Sequence, residues 1–401
     1  MMTAGQQDIL RGTYPREFIN RNAQCFAIDA PGLIDSTHLH RAISAMRENH
    51  PVLRMIPTGS GSEWRQSILS PSAAEGEYEF VLETVSNESL QDRMDALSHD
   101  MIERFDVFAK PSWGVIQLRA AEADHLVFIF NHFAADLLAV SQFVRSFVFA
   151  LVRGEGTSLP GDTYLEFLDA LEAKWSGPLS EEARWWIERP WKAIPALPGV
   201  YLADDEQAAD GSDLVAFVPE SSIRSQKLSE ALIVEAVDRS VRDVTGVEVT
   251  RIDAARVGRN NHVERSASGW LSHAVPFVNT DGRSNADLAL ARETAPSWIA
   301  AFPVVRGRAD LSNEKHFGAH VFLNFFGTFS PESWTFGGFR VSRKQPRYAP
   351  PGRVSLTPLS LKVRKSNENW VLNWSLSRRY QGADLLRAVS DRTRELLVSE
   401  N

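Results

Sequence analysis

One stretch, residues 125–152, constrains the fold most strongly because it combines a strand, a polar turn and a helix. Its sequence is HLVFIFNHFAADLLAVSQFVRSFVFALV. Residues 126–130 form a short run of apolar, β-branched and aromatic side chains, which is typical of a fully buried strand. Apolar residues then recur at intervals of three and four, as in an amphipathic helix. The polar residues that lie between the strand and the apolar helix face are Asn131, His132 and Asp136.

The residue types at this turn allow two interpretations. A histidine beside an apolar strand is more often a hydrogen-bonded structural residue than a catalytic one. Asp136 has a structural interpretation as well, because a carboxylate at this place accepts hydrogen bonds from the first free N–H groups of a helix. The pattern alone therefore leaves the role of His132 open.

Composition excludes several classes of function. The chain has 401 residues and a net charge of −8, and no cluster of Lys and Arg stands out. Nucleic acid is therefore not an expected partner, since binding to phosphates needs a basic patch. Cys25 is the only cysteine, which excludes an intramolecular disulfide. With no Cys and His ligand spacing we expect neither a metal site nor a bound cofactor, and a reduced cytoplasmic compartment fits.

No targeting or membrane segment is predicted. Residues 1–18 lack the apolar core of a signal peptide. The long apolar run of residues 125–152 contains His132, Asp136 and Arg145, and charges near the middle of a bilayer are costly. We therefore expect a buried core element. The chain also lacks a Rossmann glycine pattern, a P-loop and a Gly-x-Ser-x-Gly elbow, so phosphate-binding and serine-hydrolase functions have no support.

Helical and strand patterns are mixed along the whole chain, which predicts an α/β (α+β) protein. The loop GEGTSLPGD, at residues 154–162, has the most pronounced clustering of Gly, Ser and Pro. We place a boundary just beyond it. The predicted division is an N-terminal lobe of residues 1–170 and a C-terminal lobe of residues 171–401.

Five elements of the sequence resemble, in order, the condensation-domain family of nonribosomal peptide synthetases, acyltransferases related to chloramphenicol acetyltransferase. The segment NHFAADL is similar to the His-His-x-x-x-Asp-Gly motif of that family. The other four elements are ENHPVLRM at residues 48–55, FDVFAKPSW at 105–113, ASGWLSHAVPF at 267–277 and LNFFGTF at 323–329. Together they extend over nearly the whole chain. The resemblance implies two lobes of the chloramphenicol-acetyltransferase-like fold in a V-shaped pseudo-dimer, with a channel between them that holds the active site.

The resemblance also implies a chemistry. In the family, an amine or an alcohol attacks a thioester on the phosphopantetheine arm of a carrier protein. A histidine can accept the proton of the nucleophile, and an N–H donor or a helix N terminus can stabilise the oxyanion. His132 stands at the second histidine of the motif, and the resemblance implies that it orients or deprotonates the nucleophile.

Supporting residues follow from the same resemblance. Arg54 corresponds to a buried arginine, which is implied to form a salt bridge with Asp136 and so hold the histidine loop. Ser268 and Asn324 stand in elements that line the channel of the family. Each of these two could instead cap the end of a strand.

Two departures from the motif bear on activity, and one departure bears on epimerization. Asn131 replaces the first histidine and cannot titrate, whereas Leu137 replaces a glycine and can narrow the path to His132. In the epimerization branch a glutamate serves as a second acid or base, and Ala255 stands at its place. One base alone does not racemise an α-carbon, so epimerization is a minor alternative.

The resemblance implies a free-standing acyltransferase that transfers a thioester-bound acyl or aminoacyl group to an amine in nonribosomal peptide or antibiotic biosynthesis. The chain begins with methionine and contains neither an adenylation nor a carrier segment. We therefore expect a monomer that works with a carrier protein in trans and a small amine or aminoacyl acceptor. A coenzyme A donor and a hydroxyl acceptor stay open. The second hypothesis is a non-catalytic condensation-like module that recruits a carrier protein or a partner enzyme.

Overall fold

The computed structural model describes most of the chain. The described residues are 2–11, 14–60, 64–74, 78–153, 161–176, 181–189, 191–202, 212–223, 228–259, 261–280, 319–328, 334–348, 357–377 and 380–398. They divide into two compact units. The first unit consists of Met1–Lys174, Val257–Ser272 and Ser330–Pro351, and the second of Trp175–Arg256, His273–Phe329 and Gly352–Asn401.

Helices and strands alternate along the described residues. The α-helices are α1 (Ala4–Arg11), α2 (Arg16–Arg21), α3 (Ser36–Asn49), α4 (Leu90–Glu103), α5 (Leu137–Arg153), α6 (Tyr164–Ser176), α7 (Glu181–Ile187), α8 (Glu230–Thr245), α9 (His262–Ser266) and α10 (Ala383–Leu397). The strands are β1 (Ala23–Asp29), β2 (Met55–Thr58), β3 (Arg65–Ile68), β4 (Glu79–Thr84), β5 (Trp113–Arg119), β6 (Asp124–Asn131), β7 (Tyr201–Leu202), β8 (Asp213–Pro219), β9 (Thr250–Arg256), β10 (His273–Asn279), β11 (Val321–Gly327), β12 (Thr335–Phe336), β13 (Phe339–Val341), β14 (Leu359–Ser366), β15 (Asn369–Leu376) and β16 (Tyr380–Gln381).

The first unit is built on a six-stranded sheet in the order β12-β13-β1-β6-β5-β4. Strand β6 lies inside this sheet, with β1 and β5 antiparallel on its two sides. Alternate residues of β6 point to opposite faces. Val127 and Ile129 belong to a buried cluster that contains residues of α4, whereas the ring of Phe128 lies 5.0 Å from that of Phe147 on α5. Because both faces are covered, β6 is a rigid base for the residues that follow it.

Helices α3 and α5 each begin at an aspartate that caps them. The carboxylate of Asp35 accepts hydrogen bonds from the N–H groups of Thr37 and His38 and so caps α3. Helix α5 presents an apolar face of Val, Phe and Ala residues to the sheet and packs against α3. The ring of Phe143 lies 4.9 Å from that of Phe130 on β6. The strand, turn and helix predicted for residues 125–152 are therefore confirmed.

The second unit also contains a six-stranded sheet, in the order β10-β9-β11-β14-β15-β8. Strand β11 is parallel to both of its neighbours, β9 and β14, whereas the other pairs are antiparallel. Helices α8 and α10 pack together and contribute to one buried cluster with the strands. Among its largest members are Trp370 and Trp374, which are 2% and 1% exposed.

The two sheets with their helices confirm a mixed α/β fold. The first unit includes two segments from the second half of the sequence, Val257–Ser272 and Ser330–Pro351. The division into lobes at residue 170 stays a prediction, and most of the loop at residues 154–162 lies outside the described residues. Among the helices that are described, none is long and apolar enough to cross a bilayer.

Candidate active site

His132 lies directly after β6 and is held by two hydrogen bonds. Its backbone N–H donates to the carbonyl of Asn22, 2.6 Å away, and its ring Nδ1 lies 2.8 Å from the carbonyl oxygen of Ala135. A carbonyl oxygen can only accept, so the Nδ1 atom carries the proton. In the neutral ring the lone pair is then on Nε2. The loop therefore sets the half-buried imidazole in the tautomer that offers Nε2 as a base.

Trp270 covers this imidazole. The centroids of the two rings are 4.3 Å apart and their planes are inclined by 32°. On α1, a Cβ atom at Gly5 would lie only 2.8 Å from Cε2 of Trp270 and equally close to the carbonyl oxygen of Ser272. A glycine is thus required for α1 to approach the tryptophan so closely.

Helix α1 also contacts the histidine loop directly. Gln6 is fully buried, and its Nε2 donates a hydrogen bond of 3.0 Å to the carbonyl of Phe133, the residue after His132. Its Oε1 accepts from the backbone N–H of Thr3. Both ends of the amide are therefore bonded inside the unit, which fixes the peptide that follows His132.

Asn131 has a structural role in the loop. Its side-chain Nδ2 donates to the carbonyls of Ile19 and Asn20, at 2.8 and 2.7 Å, and its Oδ1 accepts from the N–H of Phe133. A neutral imidazole has one donor and one acceptor, so it could not form these three bonds together. The asparagine in place of the first histidine of the motif therefore ties the end of β6 to the end of α2.

Asp136 combines the capping role with an ion pair. Its Oδ1 accepts from the N–H of Ala139, which caps α5. Its Oδ2 accepts from the N–H groups of Leu271 and Ser272. The guanidinium of Arg259 binds both carboxylate oxygens, at 2.8 and 3.0 Å. Side-chain exposures of 7% for Asp136 and 5% for Arg259 make this a buried, bidentate ion pair.

The predicted salt bridge between Arg54 and Asp136 is therefore wrong. Arg54 lies at the end of a 3-10 helix, Pro51–Arg54, and its guanidinium donates to the carbonyls of Arg47 and Leu69. Burial lowers the pKa of Arg54, and the positive charge of Arg47 lowers it further. The short helix directs Arg54 toward its own neighbours in sequence, so it supports the start of β2 and not the histidine loop.

A second carboxylate, Asp162, binds the segment Val257–Ser272, which also supplies Arg259, Leu271 and Ser272 to Asp136. Its side chain is fully buried and accepts hydrogen bonds from the N–H groups of Ser268 and Tyr164, at 3.0 and 2.8 Å. The Oγ atom of Ser268 donates to it as well. Nδ1 of His50 lies 2.6 Å from its Oδ2, and Nε2 of His50 lies 2.8 Å from Oγ of Ser146.

The other predicted site residues have these positions. Ser268 is fully buried, lies between α9 and β10, and is hydrogen-bonded to Asp162. Leu137 is the first residue of α5 and half-buried. Among the described non-glycine residues only Asn367 has a positive φ, so Leu137 does not need the conformational freedom of a glycine. Asn324 belongs to the second unit, on β11, beside Lys362 of β14.

The glutamate position of the epimerization element falls in the second unit too. Ala255 lies on β9 and pairs with Ala274 of β10. A methyl side chain cannot donate or accept a proton, so this position offers no second acid or base. Epimerization therefore stays a minor alternative, as the sequence predicts.

In the described part of the chain, neither Cys25 nor a group of metal-binding side chains forms a second reactive site. Burial raises the pKa of the Cys25 thiol to about 12, and the negative charge of Asp95 contributes to this. The thiol is therefore protonated at neutral pH and a poor nucleophile. Within the described ranges, no group of three or more His, Cys, Asp or Glu residues could hold a metal ion.

The sequence reasoning did not identify Arg259, Trp270 or Asp162 as parts of the site. Two of them lie in segments that carry a signal, because Arg259 ends a Gly-Arg element and Trp270 lies in the element ASGWLSHAVPF. No signal marks Asp162, which follows a loop of small and polar residues. Two of its partners, His50 and Ser268, are more than 100 residues away in sequence.

Comparisons with known proteins bear on the family and on the fold. Residues 22–231, more than half of the chain, match the family "Condensation domain". No curated protein sequence matches the chain. A similar solved structure is the epimerization domain from the third module of tyrocidine synthetase B. Its sequence is 17% identical, the TM-score is 0.74, and the match covers 99% of this chain and 95% of that one.

Two other solved structures have slightly lower TM-scores. A starter condensation domain of the rhizomide synthetase, a substituted form in complex with C8-CoA, is 14% identical with a TM-score of 0.70, and the match covers 99% of this chain and 94% of that one. The SgcC5 protein from Streptomyces globisporus is 15% identical with a TM-score of 0.70, and the match covers 99% and 97%. At these identities, the structures show the fold alone.

The family match and the fold lead to one conclusion. The six-stranded sheets with their helices correspond to the chloramphenicol-acetyltransferase-like fold that the sequence predicted. Acyl or aminoacyl transfer is the general activity that such a family supports. The chain belongs to the condensation domain family.

Proposed function

We propose that this protein transfers a thioester-bound acyl or aminoacyl group to an amine and that His132 orients or deprotonates the amine. One observation carries the proposal: Nδ1 of His132 lies 2.8 Å from the carbonyl of Ala135. This bond leaves Nε2 as the basic nitrogen of the neutral ring. The imidazole is also placed at the end of a strand that is buried on both faces, which supports a fixed geometry for proton transfer.

The reaction needs one proton acceptor and one leaving group. The amine nitrogen attacks the thioester carbonyl while Nε2 of His132 takes a proton from that nitrogen. The new C–N bond forms and the C–S bond breaks. The proton held on Nε2 then passes to the departing sulfur, which leaves as a thiol. His132 is thus regenerated as the neutral base, and no oxidant or metal is required by this balance.

The donor in this proposal is a phosphopantetheine thioester. Family membership supports an acyl donor on a carrier protein, and the rhizomide synthetase domain with C8-CoA supports coenzyme A thioesters as an alternative source of the same chemistry. The acceptor is an amine, with an alcohol as the alternative. The SgcC5 structure contains an aryl ethanediol, so alcohols belong in the panel of acceptors to be tested.

The test is acyl transfer by the wild type and by His132→Ala, followed by intact-protein mass spectrometry. Octanoyl-coenzyme A and octanoyl carrier protein serve as donors, and a panel of amines and alcohols as acceptors. We expect product with the wild type and a loss of about a hundredfold or more in His132→Ala. The matched control is His125→Ala, because His125 lies at the other end of β6 and bonds to Asp29. Equal rates for wild type and His132→Ala would remove His132 from the mechanism.

A non-catalytic, condensation-like module is the second candidate. The observation that favours it is Asn131, whose amide is used for three structural hydrogen bonds where the motif of the family has a histidine. Such a module would recruit a carrier protein or a partner enzyme. It predicts that the wild type binds an acyl carrier protein and forms no product with any acceptor of the panel.

A further inference from the structure

We propose that Trp270 is a positioning residue whose indole face stabilises the protonated imidazole of His132. This inference rests on the proposed function, because a general base becomes positively charged while it holds the proton of the nucleophile. A ring that attracts this charge lowers the barrier to proton transfer without touching the substrate. Trp270 is the residue that the structure places against the imidazole.

The distance and the angle between the two rings fit such a contact. Their centroids are 4.3 Å apart, and a cation within about 6 Å of a ring centroid is attracted by the negative face of the ring. A centroid distance of 4.3 Å is too short for two rings that lie side by side, so the imidazole lies against the indole face, with the planes inclined by 32°. Among aromatic side chains, tryptophan gives the strongest attraction of this kind.

The charged residue of the histidine loop, Asp136, is already paired. Asp136 is the nearest carboxylate in sequence, but Arg259 binds both of its oxygens, so the two charges offset each other. The N terminus of α5 disfavours a nearby cation. Helix α1 offers the uncharged amide of Gln6, bonded to Phe133, and the segment before β1 offers the carbonyl of Asn22.

Among the described contacts of the imidazole ring are two with neutral groups. The carbonyl of Ala135 accepts from Nδ1 and favours the charged ring along its edge. The indole of Trp270 favours it across one face. The cation that forms when Nε2 takes the proton is delocalised over the whole ring, so both groups act on it at once.

The chain holds Trp270 in this position from both sides. The next two residues, Leu271 and Ser272, donate their N–H groups to Asp136, and the carbonyl of Gly269 accepts from Arg259. Gly269 has a φ of +108°, a conformation that favours glycine. Gly5 on α1 provides the space beside the indole. The indole is thus fixed by backbone contacts, as a preorganised positioning group must be.

A graded series of substitutions tests the contact. Trp270→Phe keeps a weaker aromatic face and Trp270→Leu removes it, while Trp185→Leu removes a tryptophan of α7 that stacks on Arg189. Each variant is titrated by NMR with ¹³C-labelled histidine, and the His132 signal is assigned with His132→Gln. We expect the midpoint of His132 to move to lower pH by about half a pH unit in Trp270→Leu and by less in Trp270→Phe. It stays unchanged in Trp185→Leu.

A second readout is the dependence of acyl transfer on pH. The acid limb of kcat/KM reports the protonation of the free enzyme, so its midpoint should move with the NMR midpoint. We also expect a severalfold loss of kcat in Trp270→Leu and partial recovery in Trp270→Phe. If Trp270→Leu does not fold, Trp270→Phe carries the test, with the smaller shift that its weaker aromatic face predicts.

The outcomes separate this inference from the proposed function. A midpoint that stays within 0.1 pH unit in folded Trp270→Leu, together with transfer that depends on His132, overturns the inference and leaves the proposed function standing. A midpoint that moves as expected while the wild type forms no product supports the contact and overturns the proposed function.

Discussion

Two buried carboxylates, Asp136 and Asp162, anchor the same segment, Val257–Ser272, to the rest of the first unit by different means. Asp136 binds the guanidinium of Arg259 at two oxygens. Asp162 instead accepts from the hydroxyl and N–H of Ser268. Asp136 thus holds the segment at its beginning through the ion pair and at its end through the N–H groups of Leu271 and Ser272. Asp162 holds it near its end through hydrogen bonds from Ser268.

The difference predicts how much stability is lost when a partner of each carboxylate is substituted. A buried ion pair that loses one partner leaves a charge without compensation, which is one of the most destabilising changes in a protein. A carboxylate that loses one of several hydrogen bonds keeps the others. Asp136 also fixes the histidine loop, because Asp136 follows His132 by only four residues. We therefore expect stability and activity to be more sensitive at Asp136 and Arg259 than at Asp162.

The largest effect is expected for Arg259→Leu. It leaves the carboxylate of Asp136 buried with only backbone donors, so the free energy of unfolding should fall by about 3–5 kcal/mol. Urea unfolding followed by circular dichroism measures this change. The matched control is Arg265→Leu, because Arg265 is exposed on the same segment. A loss in Arg259→Leu no greater than in the control would contradict the role of the ion pair.

At the second anchor, Asp162→Asn should have a smaller effect. The amide keeps the shape of the side chain but replaces one acceptor oxygen by a donor, which then faces the donors His50 and Ser268. We expect a loss of about 2–3 kcal/mol in the same unfolding experiment. Asp169→Asn is the control on α6, since Asp169 is exposed. If Asp162→Asn destabilises more than Arg259→Leu, the comparison between the two anchors is reversed.

Local features of the fold could be predicted from the sequence. The apolar run before Asn131 and the helical spacing after Asp136 define β6 and α5, and the Asp35 cap defines the start of α3. These features depend on neighbours within a few residues, where side-chain periodicity and capping act directly. The turn that holds His132 could therefore be placed before any tertiary contact was known.

The partner of Asp136 could not be predicted in the same way. Arg259 lies 123 residues further along the chain, and the Gly-Arg element that it ends does not indicate which carboxylate it binds. The family resemblance favoured Arg54, but the 3-10 helix at Pro51–Arg54 directs that side chain to backbone carbonyls. Partners of this kind depend on how distant segments pack, which periodicity does not encode.

Ser268→Ala removes one bond from the second anchor and keeps the rest. The N–H of Ser268 still donates to Asp162, as does His50, so the carboxylate retains most of its partners. We expect a loss of about 1.5 kcal/mol in the free energy of unfolding, because the lost bond goes to a charged group. Ser268→Thr keeps the hydroxyl and serves as the control, although its methyl group must fit a buried position. An unchanged free energy of unfolding in Ser268→Ala would show that the hydroxyl contributes nothing and that the backbone N–H of Ser268 alone binds Asp162.

The smallest effect is expected beside the first anchor, for Leu137→Gly, which restores the residue of the family motif. Leu137 opens α5 without a positive φ, so glycine brings flexibility that the native conformation does not need. We expect a loss of about 0.5–1 kcal/mol in stability. If the leucine narrows the path to His132, kcat/KM for the bulkiest accepted acyl donor should rise in Leu137→Gly while that for the smallest donor stays constant. Equal changes in kcat/KM for both donors would show that Leu137 affects the stability of α5 and not the access of the donor. The ion pair of Asp136 would then be compatible with either residue at position 137.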